Sequence, residues 1–336
     1  MILGRPHRSF PMGDASRVGE ARRFATQFAR ECGFDETEAG RVALVVTELG
    51  NNLVRHARHG RLLLTGRPEH RQLEIVSIDD GPGIADIRRC LGDGFSTGGT
   101  PGTGLGAVQR LAHSFDIHSE MPHGTVIVAR LQAGEAAVAD RDAALWAGAI
   151  SVPAPGESAC GDAWAVVMEG PRAAVLVADG LGHGPDAARA ADEAVRIFSL
   201  EPWAAPREQL ARLHAGLRGT RGAALTVLRA DSEAGTVRSA GAGNVLARLV
   251  SGTSDRTVLG QHGTAGVQIR SPEEVTTPWP AHALLVVHSD GIESRWQPEL
   301  LRPVLGRDPV LAAALLVRQH CRGRDDTTAL VLRRRD

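Results

Sequence analysis

Apolar residues recur along the chain at two periods. Between residues 15 and 31, Val18, Ala21, Phe24, Ala25 and Phe28 fall at helical spacing, and Gly33 closes the run. A second helix is predicted over 36–58, with Val42, Val45, Val46, Leu49 and Leu53 on its apolar face. Strands are expected at 61–66 and 72–79, then a glycine-rich segment at 92–106, a helix to about 113, and strands at 115–119 and 124–131. This order predicts helices laid on a mixed sheet. Beyond it, residues 132–142 are rich in alanine and polar groups, with no apolar partner in sight, and read as a linker. Strand-like runs follow at 145–152, 163–168, 173–178, 223–229, 236–240, 244–250, 283–288 and 327–333, with helices at 185–198, 206–217 and 308–320. Many short strands with few helices predict two packed antiparallel sheets flanked by helices. The expected class is α+β, in two domains, 1–131 and 143–336.

A length of 336 residues agrees with that division, because a single core seldom grows beyond about 250–300 residues. Hydrophobic content of 43%, charged content of 23% and a net charge of -1 are those of a globular protein. No apolar stretch approaches the roughly 20 residues that span a bilayer. The opening "MILGRPHRSFPMGD" is too polar for a signal peptide, so a cytoplasmic protein without membrane partners is expected. Cys32, Cys90, Cys160 and Cys321 are widely spaced, which argues against a zinc site or a disulfide framework. The chain has no lysine, and a phosphate loop ending in Gly-Lys is therefore impossible. No basic run interleaves with aromatics, so nucleic acid is not an expected partner.

Chemistry is suggested by aspartates that close apolar runs just before glycine, in "LEIVSIDDGPGI" (73–84), "AVLVADGLGHG" (174–184) and "LLVVHSDGIES" (284–294). In the first half, "TELGNNLVRHA" places Glu48 and Asn52 four apart, one turn from each other on a helix face. Such a pair can hold a hydrated magnesium ion and orient a nucleophile; by itself it is more often a polar helix face. Asp79 follows an apolar strand and opens a pattern with Gly81 and Gly83; "GTPGTGLGA" then supplies Gly102, Gly104, Leu105 and Gly106. Glycines let backbone N–H groups approach phosphate oxygens, and a helix beginning near Leu105 adds its positive end.

In the order ExxxN, DxGxG, GxGxG, then "HGTVIVAR" with Gly124 and Thr125, residues 15–131 resemble the GHKL ATPase superfamily, and within it the RsbT-like switch protein kinases and anti-sigma-type ATPases. The resemblance implies an α/β sandwich that binds ATP with Mg²⁺. Glu48 would polarise the nucleophile, Asn52 would hold Mg²⁺, Asp79 would read adenine with Thr125 beside it, Gly83, Gly102, Gly104 and Gly106 would shape the lid, and Gly81 and Leu105 would belong to the cofactor-binding set. It also implies phosphorylation of serine or threonine on STAS-domain partners. His56, next to this set, reads as a structural histidine.

In the second half, Asp162, Asp179, Asp290 and the pair Asp325 and Asp326 sit at the ends of predicted strands, where acids can converge on one edge of a sandwich. The order GD, DGxGHG, "GAGNV", SDG and DDxT resembles the SpoIIE-type PPM serine/threonine phosphatases, in their short RsbX-like form, across 143–334. By that resemblance the fold is an αββα sandwich that binds two Mn²⁺ or Mg²⁺ ions. Asp179 would bridge them, Gly180 would lend its carbonyl, Asp162 would serve the second ion, and Asp290 and Asp325 the first; Asp326 could exchange with Asp325. His183 would stand behind the metals, act as an acid, or be structural. Cys160 occupies a position where many relatives have glycine.

Two readings follow. In the first the chain is a bifunctional partner-switching regulator, a kinase joined to the phosphatase that reverses it, acting on STAS-domain phosphoproteins. In the second only the phosphatase is an enzyme, and the N-terminal domain is a nucleotide-gated module that sequesters a sigma factor or an effector enzyme. Related kinases often pair, so a homodimer is also an expectation.

Overall fold

The structure, a computed structural model, describes residues 1–92, 104–134, 143–252, 255–258 and 260–335. The chain divides into two compact units, His7–Ala139 and a second made of Asp140–Asp336 with Met1–Pro6. Strand β1 (Ile2–Leu3) opens the chain and belongs to the second unit.

The first unit holds β2 (Arg8–Pro11), α1 (Ala15–Glu31), α2 (Glu36–His56), β3 (Arg61–Arg67), β4 (Gln72–Asp79), α3 (Ile87–Leu91), α4 (Gly104–Leu111), β5 (Ser114–Glu120) and β6 (Gly124–Gln132). Both long helices start on sequence-encoded caps. Asp14 accepts the Ser16 N–H at the head of α1, and Asp35 and Glu38 form a reciprocal capping box at α2, with N–H···O distances of 2.7 and 2.8 Å. The strands lie in the order β2-β3-β4-β6-β5. Each pairing among them is antiparallel, which corrects the expected mixed sheet. Two of the four pairings follow from direct chain reversal, β3 to β4 and, through a tight turn at 121–123, β5 to β6.

Alternation selects the buried face of this sheet. Leu62, Leu64, Leu73, Ile75, Ile127 and Leu131 join Val42, Val45, Val46, Leu49 and Leu53 of α2 in one core. Phe24 and Phe28, expected on the stripe of α1, are only partly buried; the Phe24 ring lies tilted 5.3 Å from that of Phe10 and 5.4 Å from that of Phe28, while Ala21, Ala25 and Ala29 take the inner positions. Small side chains there let the two helices approach, as does Gly50, where a Cβ would sit 3.0 Å from Val18. On the opposite face, buried Glu74 accepts from Arg130 Nε at 2.6 Å and lies 3.3 Å from His7 Nε2. Burial alone would raise its carboxyl, but the guanidinium, the imidazole and nearby Arg67 hold it well below the usual range.

The second unit continues with β7 (Leu145–Val152), β8 (Asp162–Glu169), β9 (Arg172–Gly180), α5 (Pro185–Leu200), α6 (Pro206–Gly216), β10 (Ala223–Asp231), β11 (Thr236–Ala242), β12 (Leu246–Val250), β13 (Asp255–Val258), a two-stranded ribbon of β14 (Gly263–Thr264) and β15 (Gln268–Ile269), β16 (Val275–Pro278), β17 (Leu284–His288), α7 (Pro309–His320) and β18 (Thr327–Arg334). Two antiparallel sheets, β1-β8-β9-β10-β11-β16 and β13-β12-β17-β18-β7, enclose a core of Trp164, Val175, Val177, Leu285, Val287 and Leu330. Strand β9 is buried on both sides: Ala173, Val175 and Val177 face the other sheet, and Ala174, Leu176 and Ala178 face α5 and α6. That is why its sequence is a continuous apolar run rather than an alternation. Helix α7, apolar all round, is buried from Val310 to Val317 and packs on β7 and β18. The helix–sheet–sheet–helix order is the αββα sandwich expected.

One boundary differs from expectation. Residues 1–6, assigned by their position to the first domain, lie with the second unit: Ile2 and Leu3 pair with Val166 and Ala165 of β8, and the Gly4 N–H donates to Trp164 O at 2.8 Å. Gly4 is needed there because a Cβ would fall 2.5 Å from the Trp164 ring. Edge pairing between segments about 160 residues apart leaves no local periodic signal. In sequence, the first unit is thus an insertion between β1 and β7 of the second.

Candidate functional sites

In the first unit a cavity of about 540 Å³ opens where the C-terminal half of α2 faces the ends of β4 and β6 and the start of α4. Its size suits a nucleotide-sized ligand, roughly 300–1,000 Å³ for small-molecule sites. Glu48 and Asn52 line it from α2, with Asn51, Arg55 and His56, and Asp79 and Thr125 line it from the sheet. Leu49, Leu53, Ile84, Leu105 and Ile127 supply apolar walls. Asp79 and Thr125 are direct cross-strand partners, so the last residue of one strand and the second of its neighbour meet at the cavity floor.

The turn after Asp79 is held by its own carboxylate, which accepts the Gly81 N–H at 2.7 Å. Gly83 has φ of +74°, and a Cβ there would lie 2.6 Å from Glu120 O. Gly83, Gly104 and Leu105 line the cavity, whereas Gly81 and Gly106 stand behind its wall. Gly106 is buried in α4, where a Cβ would meet Leu91 O at 2.7 Å, so it also lets α4 pack against the end of α3. Gly102 lies outside the described residues.

Two residues of this site were not singled out from sequence. The Ser119 hydroxyl accepts the Ile84 N–H at 2.8 Å and lies 2.8 Å from Thr125 Oγ1, tying the loop after Gly83 to the floor. Nothing in "DIHSE" marks it, because the link is across strands. Gly124, noted only as part of a motif, has φ of +93°, and a Cβ would sit 2.1 Å from the Asp79 carbonyl oxygen. Gly124→Ala is expected to destabilise the first unit by about 2 kcal/mol or more and to weaken ATP binding, read by urea unfolding and by calorimetry.

In the second unit the acids come from four strand ends. Asp162 starts β8 and Asp179 sits near the end of β9, in direct register with each other. Asp290 follows β17 and Asp325 and Asp326 precede β18, neighbouring strands of the other sheet. The close approaches are made by glycines. A Cβ at Gly180 would lie 2.1 Å from Ala187 O in α5, and one at Gly291 would lie 2.1 Å from Asp326 O.

Burial pushes the Asp179 carboxyl up to about 9, and the charges of Asp162, Asp290, Asp325 and Asp326 add to it. Burial likewise raises Asp162 to about 7, against hydrogen bonds from Ser289 and Thr328. Asp290 is raised by burial and then by Asp325, with Arg322 and Arg324 opposing. Among the described residues no three His, Cys, Asp or Glu side chains are already gathered round one point. The donor set nonetheless fits hard divalent cations: the acids repel one another, and the buried Asp162 Oδ1 and Asp326 Oδ2 have no hydrogen-bond partner.

The two adjacent aspartates differ. Asp326 is buried and accepts the Ala154 N–H at 2.8 Å, whereas half-buried Asp325 is the one whose charge raises Asp290. Asn244 of the "GAGN" turn, given no role from sequence, donates to Asp290 Oδ2 at 2.7 Å. His183 is exposed, its Nδ1 2.7 Å from Glu157 Oε1.

Comparison with known proteins follows this division. A family described as histidine kinase-like ATPase domain matches residues 12–131, and one described as stage II sporulation protein E (SpoIIE) matches residues 169–335. The serine/threonine-protein kinase RsbT of Bacillus subtilis (strain 168) is 36% identical over 111 residues, 32% of this chain and 84% of RsbT. A chain solved under the description "The bacterial stressosome: a modular system that has been adapted to control secondary messenger signaling" is 30% identical, with a TM-score of 0.52, covering 56% of this chain and 99% of that one. RsbX, solved in complex with magnesium, is 19% identical with a TM-score of 0.50 over 57% of this chain and 96% of RsbX, which shows a shared fold. Cavity, acid cluster and comparisons agree: the chain belongs to the histidine kinase-like ATPase family that includes RsbT, and joins that domain to a SpoIIE-type PPM phosphatase domain.

Proposed function

We propose that the chain is a two-way phosphorylation switch, adding phosphate to serine or threonine of a STAS-domain protein through its first unit and removing it through the second. The observation that carries the reading is the pairing on one chain of a nucleotide-sized cavity, edged by Glu48, Asn52 and Asp79, with a five-aspartate cluster at a sandwich edge. Identity to the kinase RsbT supports the forward direction.

For transfer, Asp79 accepts a hydrogen bond from the adenine amino group and Thr125 flanks it. Asn52 would hold the Mg²⁺ that accompanies ATP, and the N–H groups at the start of α4 would be turned to the phosphates. Glu48, one turn before Asn52, orients the acceptor hydroxyl and draws its proton as the oxygen approaches phosphorus. For hydrolysis, Asp179, Gly180 through its carbonyl, Asp162, Asp290 and Asp325 would hold two divalent cations, with Asp179 shared between them, Asp162 serving the second and Asp290 and Asp325 the first. Mn²⁺ or Mg²⁺ at these positions supplies charge neutralisation of the phosphate and activation of water. Asn244 keeps Asp290 aimed inward by holding its other oxygen. Both catalysts on one chain raise the local concentration of each near a shared partner.

The test is transfer of the γ-phosphate from labelled ATP to a purified STAS-domain protein by Asp179→Asn protein, in which the product persists. Label on serine or threonine of the partner is expected. No label would leave the first unit as a nucleotide-gated binding module that sequesters a sigma factor or effector enzyme.

A further inference from the structure

Beneath the acid cluster lies a buried polar chain that the mechanism above does not use, and its hydrogen-bond directions can be deduced. The Trp296 indole N–H can only donate, and it does so to His288 Nε2 at 3.2 Å. In neutral imidazole the proton is then on Nδ1, which donates to Ser289 O at 2.9 Å. His288 and Ser289 are both fully buried. The Ser289 hydroxyl accepts the Thr328 N–H at 3.0 Å, so its own hydrogen is directed at Asp162 Oδ2, 2.6 Å away. One oxygen of Asp162 is thereby held, and the other, Oδ1, is left buried without a partner.

Resting on the phosphatase reading, we infer that Ser289 is a positioning residue that fixes the Asp162 carboxylate so that Oδ1 alone is offered to the second cation, with His288 and Trp296 fixing Ser289 in turn. A carboxylate turned by a hydroxyl behind it loses little rotational freedom when it binds a cation, and such supporting hydrogen bonds are worth roughly 10–100-fold in metal affinity. The link also crosses the sandwich, because Asp162 begins a strand of one sheet while Ser289 follows a strand of the other.

The experiment is Mn²⁺ titration of the full chain by calorimetry, with thermal melting of the metal-free protein alongside. Ser289→Ala is expected to weaken one of two Mn²⁺ sites by about 10–100-fold, and Ser289→Thr, which keeps a hydroxyl, to bind within a few-fold of wild type. Equal affinities for Ser289→Ala and wild type would overturn the assignment, as would equal losses in the alanine and threonine variants, since the hydroxyl would then not be the cause. If wild type itself binds no Mn²⁺, the metal-site reading fails, and this inference with it. Should Ser289→Ala not fold, Trp296→Phe, which removes only the indole donor at the far end, is expected to weaken the same site in a folded protein; unchanged binding there would overturn the chain of support.

Discussion

Asp179→Asn is expected to abolish phosphomonoester hydrolysis and, in the same protein, to raise the melting temperature without metal. Loss of activity follows from the bridging role proposed for it, since removing a charge shared by two cations is expected to lower turnover by about 10³-fold or more. The gain in stability follows from burial and like charge. Asp179 is half of a cross-strand pair with Asp162 and feels Asp290, Asp325 and Asp326, so its ionised form is disfavoured in the folded chain. Asparagine keeps the shape and removes the charge. A gain of one kcal/mol corresponds to about 2–4 °C for a domain of this size. Added Mn²⁺ should then stabilise wild type strongly and the variant weakly. A residue that only supported the fold would show a lower melting temperature, and that result would sink the bridging role.

The second large effect concerns Glu48. Glu48→Gln, built on Asp179→Asn so that product is not erased, is expected to reduce phosphate transfer by about 10²–10⁴-fold while ATP binding stays within a few-fold. Glu48 lines the cavity one turn before Asn52, whereas Asp79 and Thr125, proposed to read the base, line it from the sheet. Asp79→Asn, by contrast, should lose ATP binding and transfer together, because the amide offers a hydrogen where a second acceptor is required. A matching loss of ATP affinity in Glu48→Gln would assign it to binding rather than to chemistry.

The three Asp-Gly turns show how far the sequence could be read. "LEIVSIDDGPGI" was separable from the other two because the helix carrying Glu48 and Asn52 precedes it, and local order along the chain is what sequence records. Periodicity also revealed the packed helices of the first unit and the apolar run of β9, whose burial on both faces came only from the structure. Caps such as Asp35 with Glu38 are legible for the same reason: both partners lie within one turn. The packing of Gly106 was not legible, because a glycine that admits a ligand and one that admits the Leu91 carbonyl look identical in a string.

What the sequence determined by itself was the two-domain order, the helical and strand periods, and the acids and glycines that could carry chemistry, all of which depend on neighbours a few residues apart. Only the tertiary structure decided which partners those residues have. It set Asp162 against Asp179 and Asn244 against Asp290, put Ser289 behind Asp162, pressed Gly124 onto Asp79, and placed the first strand on the second unit. Each of these contacts joins positions that pairing or sheet packing brings together, and the strength of a hydrogen bond or a charge depends on that distance in space.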